Sequence, residues 1–200
     1  MIYLDYASAT PVDKEVLKIY NETNNLYFAN PNSIHPLGLE VKEKLDYYTN
    51  SIANRLGIDK DEIIYTSGAT ESNNLVIKGI AKRYKNYGKH ILLSSLEHQS
   101  LIAPATSLEK EGFEVELIPV DKNGIVDLDE LKDMIREDTI LVSVTSVDSE
   151  LGIIQPINEI KELLKEYKNC KFHTDASQAI GKINIDFKGI DLVTIAPHKF

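Results

Sequence analysis

The chain has little cysteine, few basic residues and no long apolar run, and each shortage excludes a class of protein. Cys170 is the one cysteine among 200 residues, which rules out an internal disulfide and makes a reducing cytoplasm the expected location. Lys and Arg number 22 against 31 Asp and Glu, giving a formal net charge of -9. An acidic chain of this kind argues against direct nucleic-acid binding.

Membrane association is not expected either. No apolar run approaches the ~20 residues that span a bilayer. The first residues, MIYLDYASATP, lack the basic start and apolar core of a signal peptide. The hydrophobic fraction of 42% is enough for one substantial core, so a soluble acidic protein is predicted.

Strand-like and helix-like segments alternate along the chain. The predicted strands are EIIYTS, HILLSS, EVELIPV, TILVSVTSV, CKFHTDA and LVTIA, and helical patterns such as ESNNLVIKGIAKRYK and INEIKELLKEYK separate them. Strands that are apolar throughout, joined by helices, predict an α/β fold with a mostly parallel sheet and helices on both faces. Ligands of such sheets bind beyond the carboxyl ends of the strands.

The residues after the first two predicted strands include a turn that suits a phosphate and a histidine at a helix entry. Gly68, Ala69, Thr70 and Glu71 follow EIIYTS and open a helix, whose free N–H groups and Thr70 hydroxyl suit a phosphate. An ordinary structural turn is the alternative. His98 follows HILLSS at a helix entry, where a solvated or capping histidine is the alternative.

The residues after the last two predicted strands add a carboxylate and an amine. Asp175 follows CKFHT, and a buried carboxylate there needs a cation or good hydrogen bonds; a turn-capping aspartate is the alternative. Lys199 follows LVTIA, where a merely exposed lysine is the alternative. Taken together, a phosphate-type turn, an aromatic side chain that can carry a positive charge, a carboxylate and a lysine on one sheet edge are what pyridoxal phosphate requires. No metal site is predicted.

Several ordered motifs carry a family resemblance. They are YLDYASATPVD, FANPNSIHPLG, TSGATESNNLVIKG, LEHQS, ELGIIQPI, HTDASQAIGKI and the final PHK. On these motifs the chain resembles the NifS-like cysteine desulfurases, which are fold-type-I pyridoxal-phosphate enzymes of the class-V aminotransferase family. The resemblance runs from the first residues to the last and implies the large domain of a fold-type-I transferase.

The resemblance also implies a role for each matching residue. Lys199 would attach the cofactor covalently and later move the substrate's α proton, with His98 stacked on the ring and assisting. Asp175 would pair with the ring nitrogen, and Gln178 would bind the phenolic oxygen. The remaining cofactor-binding positions are Ala69, Thr70 and His198, which would hold the phosphate, and Ser149.

The chain departs from the family pattern in two places. Asp148 and Ser149 stand where Asn-Asn is usual, so Ser149 offers a shorter side chain and Asp148 adds a charge. Ala196 stands where a serine often contributes a phosphate hydroxyl. The departures put substrate placement in question and suggest a specialised or weakened member.

The resemblance further implies that the chain is the truncated front part of a longer enzyme. Residues 1–12 would belong with a missing small domain, and residues 13–200 would form the cofactor-binding large domain. Cys170 precedes the strand KFHT, which predicts a small buried side chain at the amino end of the sheet, away from the cofactor. The chain alone is therefore expected to lack desulfurase activity.

The predicted parent reaction takes sulfur from L-cysteine as a persulfide and leaves L-alanine. The implied partners are a second copy of the chain and a sulfur-acceptor protein, either an iron–sulfur scaffold or a tRNA-thiolation protein. Other readings remain open on the sequence alone. They are a selenocysteine lyase, an aminotransferase, and a non-catalytic cofactor-binding protein.

Overall fold

The computed structural model describes residues 2–200 and divides them into two compact units. One unit combines residues 2–9 with residues 66–200, and the other comprises residues 10–65. Within the described residues, no helix combines the length and apolar character needed to cross a membrane. The predicted boundary at residue 12 remains a prediction.

The unit of residues 10–65 is helical. Helix α1 spans Lys14–Leu26 and helix α2 spans Pro36–Leu56. Asp13 caps α1 by accepting hydrogen bonds from the backbone of its first turn, and Gly57 ends α2 in the left-handed conformation (φ 71°). A hydrogen bond of 2.8 Å joins the hydroxyls of Thr49 and Tyr65, which fixes the end of this unit to α2.

The larger unit is built on a parallel sheet of five strands. They are β1 (His90–Ser94), β2 (Glu114–Ile118), β3 (Thr139–Ser143), β4 (Lys171–Asp175) and β5 (Leu192–Thr194), in the spatial order β2-β1-β3-β4-β5. Every pairing is parallel. Strands β1 and β3 are buried along their whole length, which explains their continuous apolar sequences.

Helices cover both faces of this sheet, as predicted. Helices α3 (Ala69–Tyr84) and α4 (Gln99–Leu108) pack on one face against alternate residues of the central strands, including Ile91, Leu93 and Leu141. Helices α5 (Leu128–Met134) and α6 (Ile157–Leu164) pack on the other face against Leu92, Val142 and Phe172. The alternation of the two residue sets along each strand follows from the two-residue period of a β-strand.

One predicted strand is wrong. EIIYTS forms no strand, although Ile63 has extended backbone angles. Ile64 and Tyr65 are 70% and 58% exposed, and the segment pairs with no strand of the described chain. Its apolar residues have the pattern of a strand. A segment becomes a strand only when its backbone groups form hydrogen bonds with a neighbouring strand, and this segment has no such neighbour among the described residues.

Candidate cofactor site

A cavity of about 260 Å³ opens at the carboxyl ends of the strands in the larger unit. All eight residues that the sequence assigned to the site line it: Ala69, Thr70, His98, Ser149, Asp175, Gln178, His198 and Lys199. They come from the segments that follow β1, β3, β4 and β5 and from the first turn of α3. The structure therefore places these residues around one cavity, and their roles in binding a cofactor remain predictions.

The first turn of α3 forms one wall of the cavity. The N–H of Ser72 is the first to bond within the helix, to the Gly68 carbonyl at 3.1 Å, so the N–H groups of Ala69 and Thr70 precede the helical ladder. Glu71 turns back and accepts bonds of 2.7 Å from both the N–H and the hydroxyl of Ser67. The Ser67 backbone bond is the main cause that lowers the pKa of Glu71. This turn is suited to an anionic group at the helix start.

His98 both caps a helix and faces the cavity. It is the N-cap residue of α4, and its Nδ1 accepts a hydrogen bond of 3.1 Å from the Ser100 N–H. Because Nδ1 serves as an acceptor, the ring hydrogen of the neutral imidazole lies on Nε2. The capping role and the cofactor role, which the sequence offered as alternatives, are thus compatible, and the cap fixes the orientation of the ring.

Asp175 is held at the end of β4 by two hydrogen bonds. Its Oδ2 accepts from Asn73 Nδ2 at 2.8 Å, and its Oδ1 accepts from the Ser177 N–H at 2.9 Å. The residue is only 7% exposed, and no cation of the described chain forms a salt bridge with it. A buried carboxylate in this state favours a cationic ligand.

Asn73 links Asp175 to His98. The same Nδ2 that donates to Asp175 also donates to Ser100 Oγ at 2.8 Å. Ser100 Oγ lies 2.8 Å from His98 Nδ1 and donates its hydroxyl hydrogen there, since that nitrogen is an acceptor. A continuous network therefore runs from the carboxylate to the imidazole through two buried side chains.

A second network lies beneath the site in the sheet itself. His173 on β4 is fully buried, with Nδ1 2.8 Å from Ser143 Oγ on β3 and Nε2 3.0 Å from Thr194 Oγ1 on β5. Burial lowers the pKa of His173 to about 4, against the opposing effect of the nearby Asp175. The neutral imidazole therefore joins three strands at a position two residues before Asp175.

Gln178 connects the site to the beginning of the chain. Its Nε2 donates to the Ala7 carbonyl at 2.7 Å, and its Oε1 accepts from Lys182 Nζ at 2.7 Å. One amide hydrogen remains for a ligand in the cavity, because the side-chain amide carries two. The orientation of Gln178 thus depends on the segment of residues 2–9.

The loop after β3 explains one of the two departures from the family pattern. Asp148 accepts backbone N–H bonds from Glu150 and Leu151 and is 7% exposed. It therefore closes the turn of the loop and does not line the cavity. Ser149 does line the cavity, so the shorter side chain is the one that faces a ligand.

Lys199 lies in a short 3₁₀ turn, Pro197–Lys199, that follows β5. The Lys199 N–H bonds to the Ala196 carbonyl at 3.1 Å, and Ala196 is fully buried. The turn brings Lys199 and His198 to the cavity from the side of β5. Cys170 lies before β4 at the other end of the sheet, as predicted, and burial raises its pKa to about 12.

Four further residues of the site were missed from the sequence. Ser100, Thr145 and Ser177 line the cavity. Asn73 does not line it but donates a hydrogen bond to Asp175. Asn73 follows Thr70 by three residues, so helical spacing could have placed it on the same face of α3. No sequence signal distinguishes Ser100 or Thr145 from ordinary core polar residues.

The site fits pyridoxal phosphate. The Ser177 hydroxyl is buried, lines the cavity and has no hydrogen-bond partner among the described residues, so it can bond to a ligand. The set as a whole offers a helix start for a phosphate, a carboxylate for a protonated ring nitrogen and an amine for an aldehyde. These groups line the same cavity, and they complement the three functional ends of the cofactor.

Comparison with known proteins agrees with this fit. The chain is 46% identical over 201 residues to cysteine desulfurase IscS of Dictyoglomus turgidum, covering 100% of this chain and 51% of that protein. It is 45% identical over 200 residues to cysteine desulfurase IscS 1 of Archaeoglobus fulgidus, covering 99% of the chain and 52% of the relative. The chain thus spans about half the length of the curated relatives it matches.

Solved structures share the fold over the whole chain. A NifS-like protein superposes with a TM-score of 0.95 at 34% identity, covering 100% of this chain and 55% of that one. A structure described as SspA in complex with cysteine gives a TM-score of 0.90 at 37% identity, covering 98% and 57% of the two chains. The aminotransferase class-V family matches residues 2–200. The chain belongs to the aminotransferase class-V family, whose cysteine desulfurase members use pyridoxal phosphate.

Proposed function

We propose that these 200 residues are the cofactor-binding part of a cysteine desulfurase that converts L-cysteine to L-alanine and passes the sulfur on as a persulfide. The observation that carries the proposal is the convergence of Lys199, Asp175 and His98 on one cavity with a helix start. The desulfurase names of the relatives and the cysteine complex of SspA support the substrate. The comparisons do not favour a selenocysteine lyase or an aminotransferase.

When bound, pyridoxal phosphate supplies an electron sink that stabilises negative charge at the substrate's α carbon. The chain's residues would hold it at four points. The α3 start and His198 would bind the phosphate, Gln178 would donate to the phenolic oxygen, and Asp175 would pair with the ring nitrogen. His98 would lie against the ring with its orientation fixed by Ser100.

In the proposed reaction, Lys199 transfers the proton of the substrate's α carbon. Its amine lies on a short turn at the cavity and is partly exposed, which leaves it able to reach a ligand from one side. Its free amine would take the α proton of L-cysteine and later return a proton as alanine forms. Asn73 would keep Asp175 oriented throughout, because the amide is fully buried and bonded at 2.8 Å.

The sulfur-accepting thiol of the parent reaction is not Cys170. A nucleophilic cysteine must reach the substrate sulfur as a thiolate. Cys170 lies at the amino end of β4, is 6% exposed, and has its pKa raised to about 12 by burial. We therefore place the acceptor cysteine outside these 200 residues, which would leave them without desulfurase activity of their own.

The proposal includes the partners and the location. A homodimer, a sulfur-acceptor protein of iron–sulfur assembly or tRNA thiolation, and a cytoplasmic location all belong to it. The free thiol of Cys170 supports a reducing compartment. The IscS names of the relatives support iron–sulfur assembly as the purpose of the sulfur.

The test is to map where the cofactor attaches. The chain is incubated with pyridoxal phosphate, reduced with borohydride, digested and analysed by mass spectrometry. We expect the label on Lys199 and its loss in Lys199→Ala, while the control Lys165→Ala, on an exposed surface, keeps it. Label confined to Lys165 and other surface lysines would overturn the assignment.

A further inference from the structure

Glu97 is a buried carboxyl group that the proposed function leaves without a role. It follows β1, and its N–H bonds to the Ser94 carbonyl at 3.2 Å. The residue is 8% exposed, and both of its carboxyl oxygens are buried without a hydrogen-bond partner among the described residues. A charged carboxylate in such a position would lose its hydration without forming hydrogen bonds or an ion pair that offset the loss.

The surroundings of Glu97 add negative charge. The negative charges of Asp175, at the end of β4, and of Asp148, in the loop after β3, both raise the pKa of Glu97. No cation of the described residues is among the groups that shift this pKa. The Thr145 N–H lowers the pKa of Glu97, although it does not meet hydrogen-bonding geometry at either carboxyl oxygen. Burial first, and the Asp175 charge second, raise the pKa of Glu97 to about 8.

We propose that Glu97 is a proton-holding positioning residue: it is neutral in the cofactor-free protein and releases its proton when a protonated pyridine ring binds beside Asp175. The carboxyl stays neutral while Asp175 and Asp148 are the charges close by, because carboxylates without a cation in one buried site repel each other. A cation beside Asp175 offsets that repulsion and makes a negative charge on Glu97 less costly. The inference rests on the proposed cofactor site.

Other titratable groups near the pair do not supply this proton. His98 is the next residue in the chain, but its Nδ1 is committed to Ser100. His173 lies before Asp175 on β4, and its bonds to Ser143 and Thr194 fill both ring nitrogens. Asp148 accepts two backbone hydrogen bonds, from Glu150 and Leu151. Glu97 is the carboxyl of this cluster without such bonds.

Reciprocal coupling follows from this arrangement. If a bound cation favours the charged form of Glu97, then the charged form favours the cation by the same factor. The affinity for pyridoxal phosphate should therefore rise between about pH 7 and pH 9 by roughly fivefold more in the wild type than in Glu97→Gln. Binding near pH 8 should release up to one more proton from the wild type than from this variant.

The first measurement addresses the cofactor-free chain. With glutamate labelled by ¹³C at the carboxyl carbon, one resonance should titrate near pH 8 and be missing from Glu97→Gln, while the exposed control Glu109→Gln keeps it. Asp148→Asn, which removes a neighbouring charge, should move that titration to lower pH. Titration of every glutamate near its ordinary value, about 4.3, would overturn the proposal.

The second measurement counts protons on binding. Calorimetric titration with pyridoxal phosphate in two buffers of different ionisation enthalpy gives the number released by the wild type, Glu97→Gln and Glu109→Gln. A larger release by the wild type and Glu109→Gln than by Glu97→Gln supports the coupling. Equal release by all three would overturn this inference and leave the cofactor site standing. Failure of the wild type to bind would overturn the coupling together with the proposed function.

Discussion

Asn73 Nδ2 lies 2.8 Å from Asp175 Oδ2, across 102 residues of sequence, and the same amide nitrogen lies 2.8 Å from Ser100 Oγ. One buried amide thus orients both the carboxylate and, through Ser100, the imidazole of His98. The two side chains that the cofactor would meet at its nitrogen and at its ring face are set by a residue on a different element, α3.

Removing that amide should loosen both contacts at once. We expect Asn73→Ala to cost about 1–3 kcal/mol of unfolding free energy, because it leaves buried polar groups without a partner. It should also weaken pyridoxal-phosphate binding and shift the absorption band of the bound cofactor. Lys78→Ala, at an exposed position of the same helix, is the matched control. An unshifted band with normal affinity in Asn73→Ala would refute the positioning role.

The segment of residues 2–9 should support the cofactor site through Gln178. The Ala7 carbonyl accepts one amide hydrogen of Gln178 at 2.7 Å, and the Tyr3 hydroxyl bonds to the carbonyls of Asp5 and Ala9 at 2.8 and 3.0 Å. Deleting residues 1–9 should therefore free the Gln178 side chain and reduce cofactor affinity by about tenfold, since a lost hydrogen bond of this kind contributes about 1 kcal/mol or more.

The deletion needs a control for general loss of stability. Gln178→Leu removes the same amide without shortening the chain, and it should give a comparable loss of affinity measured by fluorescence titration. Combining the two changes should weaken binding little further, because both act through one contact. Additive losses would show that the segment acts on the site by another route.

Cys170 should be chemically inert in the folded protein. Burial raises its pKa to about 12, so the reactive thiolate is scarce at neutral pH. We expect iodoacetamide to label Cys170 slowly in native conditions and rapidly in urea, as measured by intact mass. Fast labelling of the native chain, or a persulfide on this residue after incubation with L-cysteine, would contradict its placement in the core.

Acid should destabilise the chain through His173. Its pKa in the folded protein is lowered to about 4, below the ordinary value of 6.5, so the unfolded state binds more protons between these two values. The free energy of unfolding should therefore fall as the pH is lowered from about 6.5 towards 4. The lowered pKa of His90, which is also buried, acts in the same direction.

The measurement is urea unfolding followed by circular dichroism at several pH values. His173→Gln retains a polar side chain that cannot titrate, and it should flatten the slope in this window relative to the wild type. The control is His35→Gln, at an exposed position in the separate unit of residues 10–65. A slope that is identical in His173→Gln and the wild type would assign the acid sensitivity to other groups.

The sequence by itself determined the class of fold and the edge of the sheet at which the predicted site residues meet. Continuous apolar strands separated by helices require a parallel sheet covered on both faces, and the carboxyl ends of parallel strands must meet at one edge. That reasoning brought Asp175 and Lys199 together from segments after β4 and β5, and it placed Cys170 at the opposite end. It failed at EIIYTS, because an apolar extended segment becomes a strand only where another strand lies beside it.

Only the tertiary structure decided how the site residues are held. The contact of Asn73 with Asp175, that of Gln178 with Ala7 and the burial of Glu97 beside two carboxylates all join residues from distant parts of the chain. Local patterns record the period of a helix or strand, and they carry no information about which polar side chains meet across elements. The proton content of Glu97 is decided in the same way, because it depends on lost hydration and on charges supplied by other strands.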